Sequence, residues 1–172
     1  IVRADGTRLV IAATVTGELP VNGVLDQDGA LVFWTTEAVY LSEDLGETLV
    51  EAYRGVDIVE VAALSLPSGP RLLVAEQEGL RIVEAGTETW AALPGPARIR
   101  RIEADPSGVV VAASRAQQLW WSMDGGLSWT DPGGTVPTQV EALDLHPDPL
   151  AFPELIASTP SGAYLARPDD RA

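Results

Sequence analysis

Two groups of residues in this 172-residue chain have side chains that could do chemistry. The first is basic. Arg98, Arg100 and Arg101 form the only basic cluster in a chain of net charge −14. A guanidinium is planar and offers paired donors, so such a cluster suits the carboxylates of an acidic partner segment. The competing use is pairing with the chain's own Glu and Asp on a solvated strand end. The second group is acidic: Glu141, Asp144, His146, Asp148 and Glu154. Its spacing fits no EF-hand or zinc pattern, and Pro147, Pro149 and Pro153 make the segment a loop, so a polar turn and no metal site is expected. A hydrolase working with two carboxylates stays compatible with 25 Asp and Glu residues, because no spacing rule picks out such a pair. Trp120 and Trp121 are adjacent, so on a strand they face opposite sides. One is expected to pack between sheets; for the other, core packing is preferred and an exposed partner anchor is the alternative.

Composition removes several function classes. There is no cysteine and a single histidine, which excludes disulfides and thiolate metal sites and argues against a histidine-built centre. The negative charge argues against nucleic acid or an anionic membrane surface as partner. No apolar run approaches the roughly 20 residues that cross a bilayer. All 11 basic residues are arginine. The chain opens at Ile1 without an initiator Met or a signal-like apolar segment, and reads as a mature product or a piece of one. No catalytic residue and no cofactor is expected.

The elements that would position these residues are organised by one stretch, Ser122-Met123-Asp124-Gly125-Gly126-Leu127-Ser128-Trp129. Asp124 can fold its carboxylate onto turn N–H groups, with the Ser122 and Ser128 hydroxyls offered to the same loop. Gly125 and Gly126 allow the positive φ of a tight turn. Trp129 carries a large apolar ring into the next strand. The strand-like run before this turn has three relatives, and the four begin at residues 38, 79, 118 and 162, a period of about 40 residues. Each is preceded by a short apolar run (Leu31–Trp34, Leu72–Ala75, Val109–Ala112, Leu155–Ala157), a turn and another strand-like run. The predicted fold is all-β, built of four-stranded units spanning about 18–56, 57–95, 96–135 and 136–172 of a single domain, 1–172. The turn decays along the chain. Ser42-Glu43-Asp44-Leu45-Gly46-Glu47-Thr48-Leu49 keeps Ser42, Asp44 and Gly46 but has Leu49 for the tryptophan. Gly86-Thr87-Glu88-Thr89-Trp90 keeps the tryptophan and has Ala85 for the aspartate. Counting back from the turn prolines, Arg100 aligns with Glu141 and Val61, so first strands lining a channel would offer both signs of charge.

The turn at Ser122–Trp129 and the phrase Ala38–Gly46 resemble the Asp-box, the bacterial-neuraminidase repeat of many β-propellers. The repeat from about Leu19 to Asp170 resembles the Asp-box propellers grouped with photosystem II stability and assembly factors, with sialidases, xyloglucan-cleaving glycosidases and sortilin-type receptors as more distant relatives. The resemblance implies a propeller of about four visible blades, small or partial, and a periplasmic or extracellular location. It implies structural roles for Ser122, Asp124, Gly126, Ser128, Trp129, Ser42, Asp44 and Gly46. Sialidase activity is not expected, since Arg98, Arg100 and Arg101 are too close together to mimic an arginine triad gathered from separate blades. The resulting expectation is a non-enzymatic scaffold or assembly protein, with a protein partner or larger complex, peripheral to a membrane and tied to photosynthesis only through the family. A carbohydrate-active enzyme is the rival. Residues 1–17 are read as an extra strand that either closes the last unit internally or leaves open edges for another chain or an oligomer to pair.

Overall fold

The computed structural model describes residues 2–4, 9–11, 23–27, 30–44, 46–84, 86–94, 98–131, 139–146 and 154–166. The expected turn at Pro147–Pro149, the rest of segment 1–17 and the tail from Arg167 lie outside these. Among the described residues there are strands and turns but no helix, in two compact units, 1–58 and 59–172.

In the first unit, β1 (Val2–Ala4) pairs antiparallel with β2 (Leu9–Ile11). The single extra strand expected there is instead a hairpin whose strands pair with each other, and the sequence between them holds Asp5-Gly6, a hairpin turn signal. The rest of this unit is an antiparallel meander of β3 (Gly23–Gln27), β4 (Ala30–Trp34), β5 (Ala38–Ser42) and β6 (Val50–Arg54). Leu31, Val32, Phe33 and Trp34 are all buried, so β4 is covered on both faces. The Phe33 ring stacks on Tyr40, with centroids 5.9 Å apart, as directly opposed cross-strand residues do.

The second unit holds three antiparallel sheets, each drawn from one repeat span. The first joins β7 (Glu60–Leu66), β8 (Gly69–Ala75), β9 (Leu80–Glu84) and β10 (Thr87–Trp90). The second joins β11 (Ile99–Ala104), β12 (Val110–Ser114) and β13 (Leu119–Ser122), with Thr130 bridging back to Trp121 beyond β13. The third joins β14 (Ala142–His146), β15 (Glu154–Thr159) and β16 (Gly162–Ala166). The first strands lie side by side, β11 between β7 and β14.

Strand alternation assigns the side chains of the middle sheet to two cores. Val110, Ala112, Ile99, Ile102 and Trp120 face the first sheet, meeting Ala62, Leu64, Leu73, Ala75, Leu80 and Ile82. Val109, Val111, Ala113, Leu119 and Trp121 face the third, meeting Val140, Leu145, Leu155 and Ala157. Ile99 and Ile102 are three residues apart yet share a face because a bulge at Arg100 shifts the register between Ile99 and Arg101.

Candidate functional site

The two Ser-x-Asp turns form the same latch. Ser122 Oγ donates to Asp124 Oδ1 at 2.8 Å and accepts from the Gly126 N–H at 2.8 Å. Ser128 gives Asp124 both its N–H, at 2.8 Å, and its hydroxyl, at 2.5 Å. In the first unit Ser42, Asp44, Gly46 and Thr48 repeat all four bonds, at 2.8, 2.6, 2.8 and 2.6 Å, although the tryptophan is lacking. The hydrogen bonds from Thr48, hydroxyl first, hold the Asp44 carboxyl down at about 2. Partial burial resists ionisation of Asp124, but the bonds from Ser128, Ser122 and Leu127 outweigh it and keep its carboxyl below the usual range. Both carboxylates therefore add stability that is present above the ordinary Asp range and lost as pH falls through the lowered values. Trp129 turns back on its own loop: its Nε1–H donates to the Gly126 carbonyl at 2.8 Å while its ring lies half-buried against the first core. We expect Asp124→Ala to cost about 1–3 kcal/mol, read by denaturant melts.

A residue that sequence reading missed clamps this latch to the neighbouring sheet. Arg71 on β8 donates to the Asp124 and Gly125 carbonyls at 3.2 and 3.1 Å, and grips Glu84, its cross-strand partner, through two nitrogens at 2.8 Å. The approach is close at both glycines, and tightest at Gly126, where the neighbour is a buried leucine. A Cβ on Gly125 would lie 2.5 Å from Arg71 Nη1, and one on Gly126 would lie 2.5 Å from Leu73 Cδ2.

The arginine cluster divides three ways. Arg101 pairs with Glu60 on β7 at 2.9 Å and donates to the Glu141 carbonyl, beside β14, at 2.6 Å. It thus ties the first strands of all three sheets together. Arg100 faces the Gln139 carboxamide, whose oxygen is the acceptor. Arg98 is exposed. Arg101 thus takes the pairing use, and the alignment of Arg100 with Val61 is two residues out, because the β7–β8 turn holds two residues and the β11–β12 turn five, which sets Val61 level with Ile102. Glu103, two residues beyond Arg101 on β11, is pushed up to about 7 by burial, then by the charges of Asp144 and Glu60. Burial also raises Glu60, against the pull of Arg101. A carboxyl that folding protonates stabilises the fold fully below the ordinary Glu range and loses that contribution as pH rises through about 7. Glu103→Gln should therefore raise stability by roughly 1–3 kcal/mol at pH 8 and leave it nearly unchanged at pH 4, measured by thermal melts at both.

Of the two readings of the tryptophans, the structure supports core packing and not the partner anchor. Trp120 is 0% and Trp121 4% exposed, one in each core, so neither ring is available as a partner anchor. Strand alternation between two covering sheets buries both. Exposed apolar surface lies elsewhere. β8 and β12 are buried on both faces, whereas β15 alternates, with Leu155 and Ala157 in the core and Ile156 39% exposed. Ile156 stands directly opposite Leu165, which is 64% exposed. Ile156 and Leu165 thus form an exposed apolar pair on a face of the third sheet that also carries Asp144, opposite Ile156, and Ser158. The signal was present in the sequence, since Ile156 and Leu165 are apolar at strand positions out of phase with the core. Among the described residues no cluster of Asp, Glu, His or Cys has the arrangement of a metal site, and no helix is long and apolar enough to cross a membrane.

No protein-family model and no curated protein matches the chain. Solved structures do. The computationally designed Ika4 protein is matched with a TM-score of 0.67 at 11% identity, over 90% of this chain and 95% of that one. BBS1N, solved in complex with ARL6DN, is matched with a TM-score of 0.70 at 14% identity over 94% of this chain, and YCF48, bound to a D1 peptide, with 0.62 at 14% over 96%. This chain spans 57% and 56% of the length of those two. An ancestral GH74 enzyme is matched with a TM-score of 0.62 at 19% identity over 90% of this chain, which is 24% of the enzyme. These likenesses show the fold: antiparallel sheets of the β-propeller kind.

Proposed function

We propose that this chain is a non-enzymatic Asp-box propeller module that binds another protein, acting as a scaffold or assembly protein outside the cytoplasm. The observation that carries this reading is the exposed apolar pair Ile156 and Leu165 on the outer face of the third sheet, whose other face packs against the second sheet. A covering surface would gain the burial that this pair forfeits to water. Neighbours solved with a peptide or a protein bound support a protein as the occupant. The resemblance to photosystem II stability and assembly factors extends the proposal to a place in, or beside, a photosynthetic-type complex.

One observation favours the rival, a glycosidase. Glu103, part-buried on β11, is pushed up to about 7 by burial and then by the charges of Asp144 and Glu60, which would suit a general acid in glycoside hydrolysis. The test sets the readings against each other. The scaffold reading expects no turnover of a panel of soluble β-glucans and xyloglucan, and loss of association in Ile156→Glu/Leu165→Glu. Turnover that Glu103→Gln abolishes would overturn it.

A further inference from the structure

The two latch turns are the same in hydrogen bonding and different at their tips. The positions flanking the aspartate and the second latch glycine are Glu43 and Glu47 in the first turn and Met123 and Leu127 in the second. Since the first turn makes the full set of latch bonds with glutamate at both positions, the latch does not require apolar residues there. Met123 and Leu127 nevertheless stand 49% and 55% exposed. They are carried on a constrained loop, held by its own hydrogen bonds, by the Gly125 N–H to the Gly108 carbonyl at 2.9 Å, and by Arg71 from the neighbouring sheet. Two apolar side chains on a rigid support lose little entropy when a partner covers them. The charge beside them is negative: Asp124 lies between them in a chain of net charge −14, and Arg71, the cation that reaches the turn, is neutralised by Glu84.

We propose that Met123 and Leu127 form a docking point, separate from the open face of the third sheet, for a basic segment of a partner protein that places an apolar side chain between lysines or arginines. The apolar pair supplies the contact and the acidic chain selects the flanking charge.

The test is fluorescence anisotropy with a labelled peptide of alternating leucine and lysine, against a control of alternating serine and lysine. Wild type is expected to bind the leucine peptide at least tenfold more tightly than the serine peptide. Met123→Glu/Leu127→Glu copies the first turn, so it should fold, and it is expected to lose that preference even though its added charge attracts lysine more strongly. Met123→Ser/Leu127→Ser, matched to wild type by circular dichroism melting, should lose it too. Unchanged or tighter binding of the leucine peptide by both variants overturns the proposal. So does loss, in either variant, of an association between wild-type chains seen by light scattering, since the pair would then be covered by a second copy.

Discussion

Trp120→Ala is expected to destabilise the second unit by about 3–5 kcal/mol, the largest single effect of any core truncation in it. The indole is 0% exposed and lies in the core between the first and second sheets, with Ala112 directly opposite it on β12. The core residues sit on paired strands, which limits how far they can move in to fill the space. The cavity would persist, and its cost adds to the lost transfer free energy. Trp120→Phe should recover about half of the loss, because it restores part of the volume at the same strand position. Urea denaturation of the three proteins measures both differences. A cost for Trp120→Ala below about 1 kcal/mol would mean that the two sheets do not share this core.

Gly126→Ala should cost about 2–4 kcal/mol, more than removal of the aspartate that the turn is built around. Its φ of 89° is left-handed, and a Cβ there would stand 2.5 Å from Leu73 Cδ2. Leu73 is wholly buried, so its methyl has no room to withdraw. Gly69→Ala is the matched comparison: φ is 113° but nothing lies within 4 Å of the added carbon. Its cost should be the conformational part alone, about 1 kcal/mol, and the difference between the two variants isolates the close approach of the sheets. Equal costs, read from the same melts, would remove that approach from the explanation.

The parts of this fold that could be read from the sequence are those written within one repeat. Asp124 with its two serines specifies a turn because all the partners lie within six residues, and the period of the apolar runs places β4, β8, β12 and β15. The joints between one repeat and the next were not legible in the same way. Arg101 meets Glu60 and the Glu141 carbonyl across separations of 41 and 40 residues, which is one period in each direction. Counting back from the turn prolines misses these positions, because the β7–β8 turn holds two residues and the β11–β12 turn five, so Val61 and Arg100 are matched where the ladders set Glu60 level with Arg101. Arg71 escaped for a different reason: its acceptors are backbone carbonyls, which carry no residue-type signal. Trp120 and Trp121 could be assigned to opposite faces but not to a core or a surface, since that depends on whether sheets lie on both sides. The same reasoning exposes Ile156: its residue type matches β12, and only the missing cover distinguishes the two strands.

If the face of the third sheet carrying Ile156 and Leu165 is a surface for another protein chain, it should act as one even in isolation. Size-exclusion chromatography with light scattering, on the intact 172-residue chain and on Ile156→Glu/Leu165→Glu, tests this most directly. With no other partner present, the uncovered face is expected to drive self-association, so the wild type should show a mass that rises with concentration above 18.2 kDa. The variant should stay at that mass and melt at the same temperature or higher. A wild-type chain that runs as a clean, cooperatively melting monomer at every concentration would contradict the account.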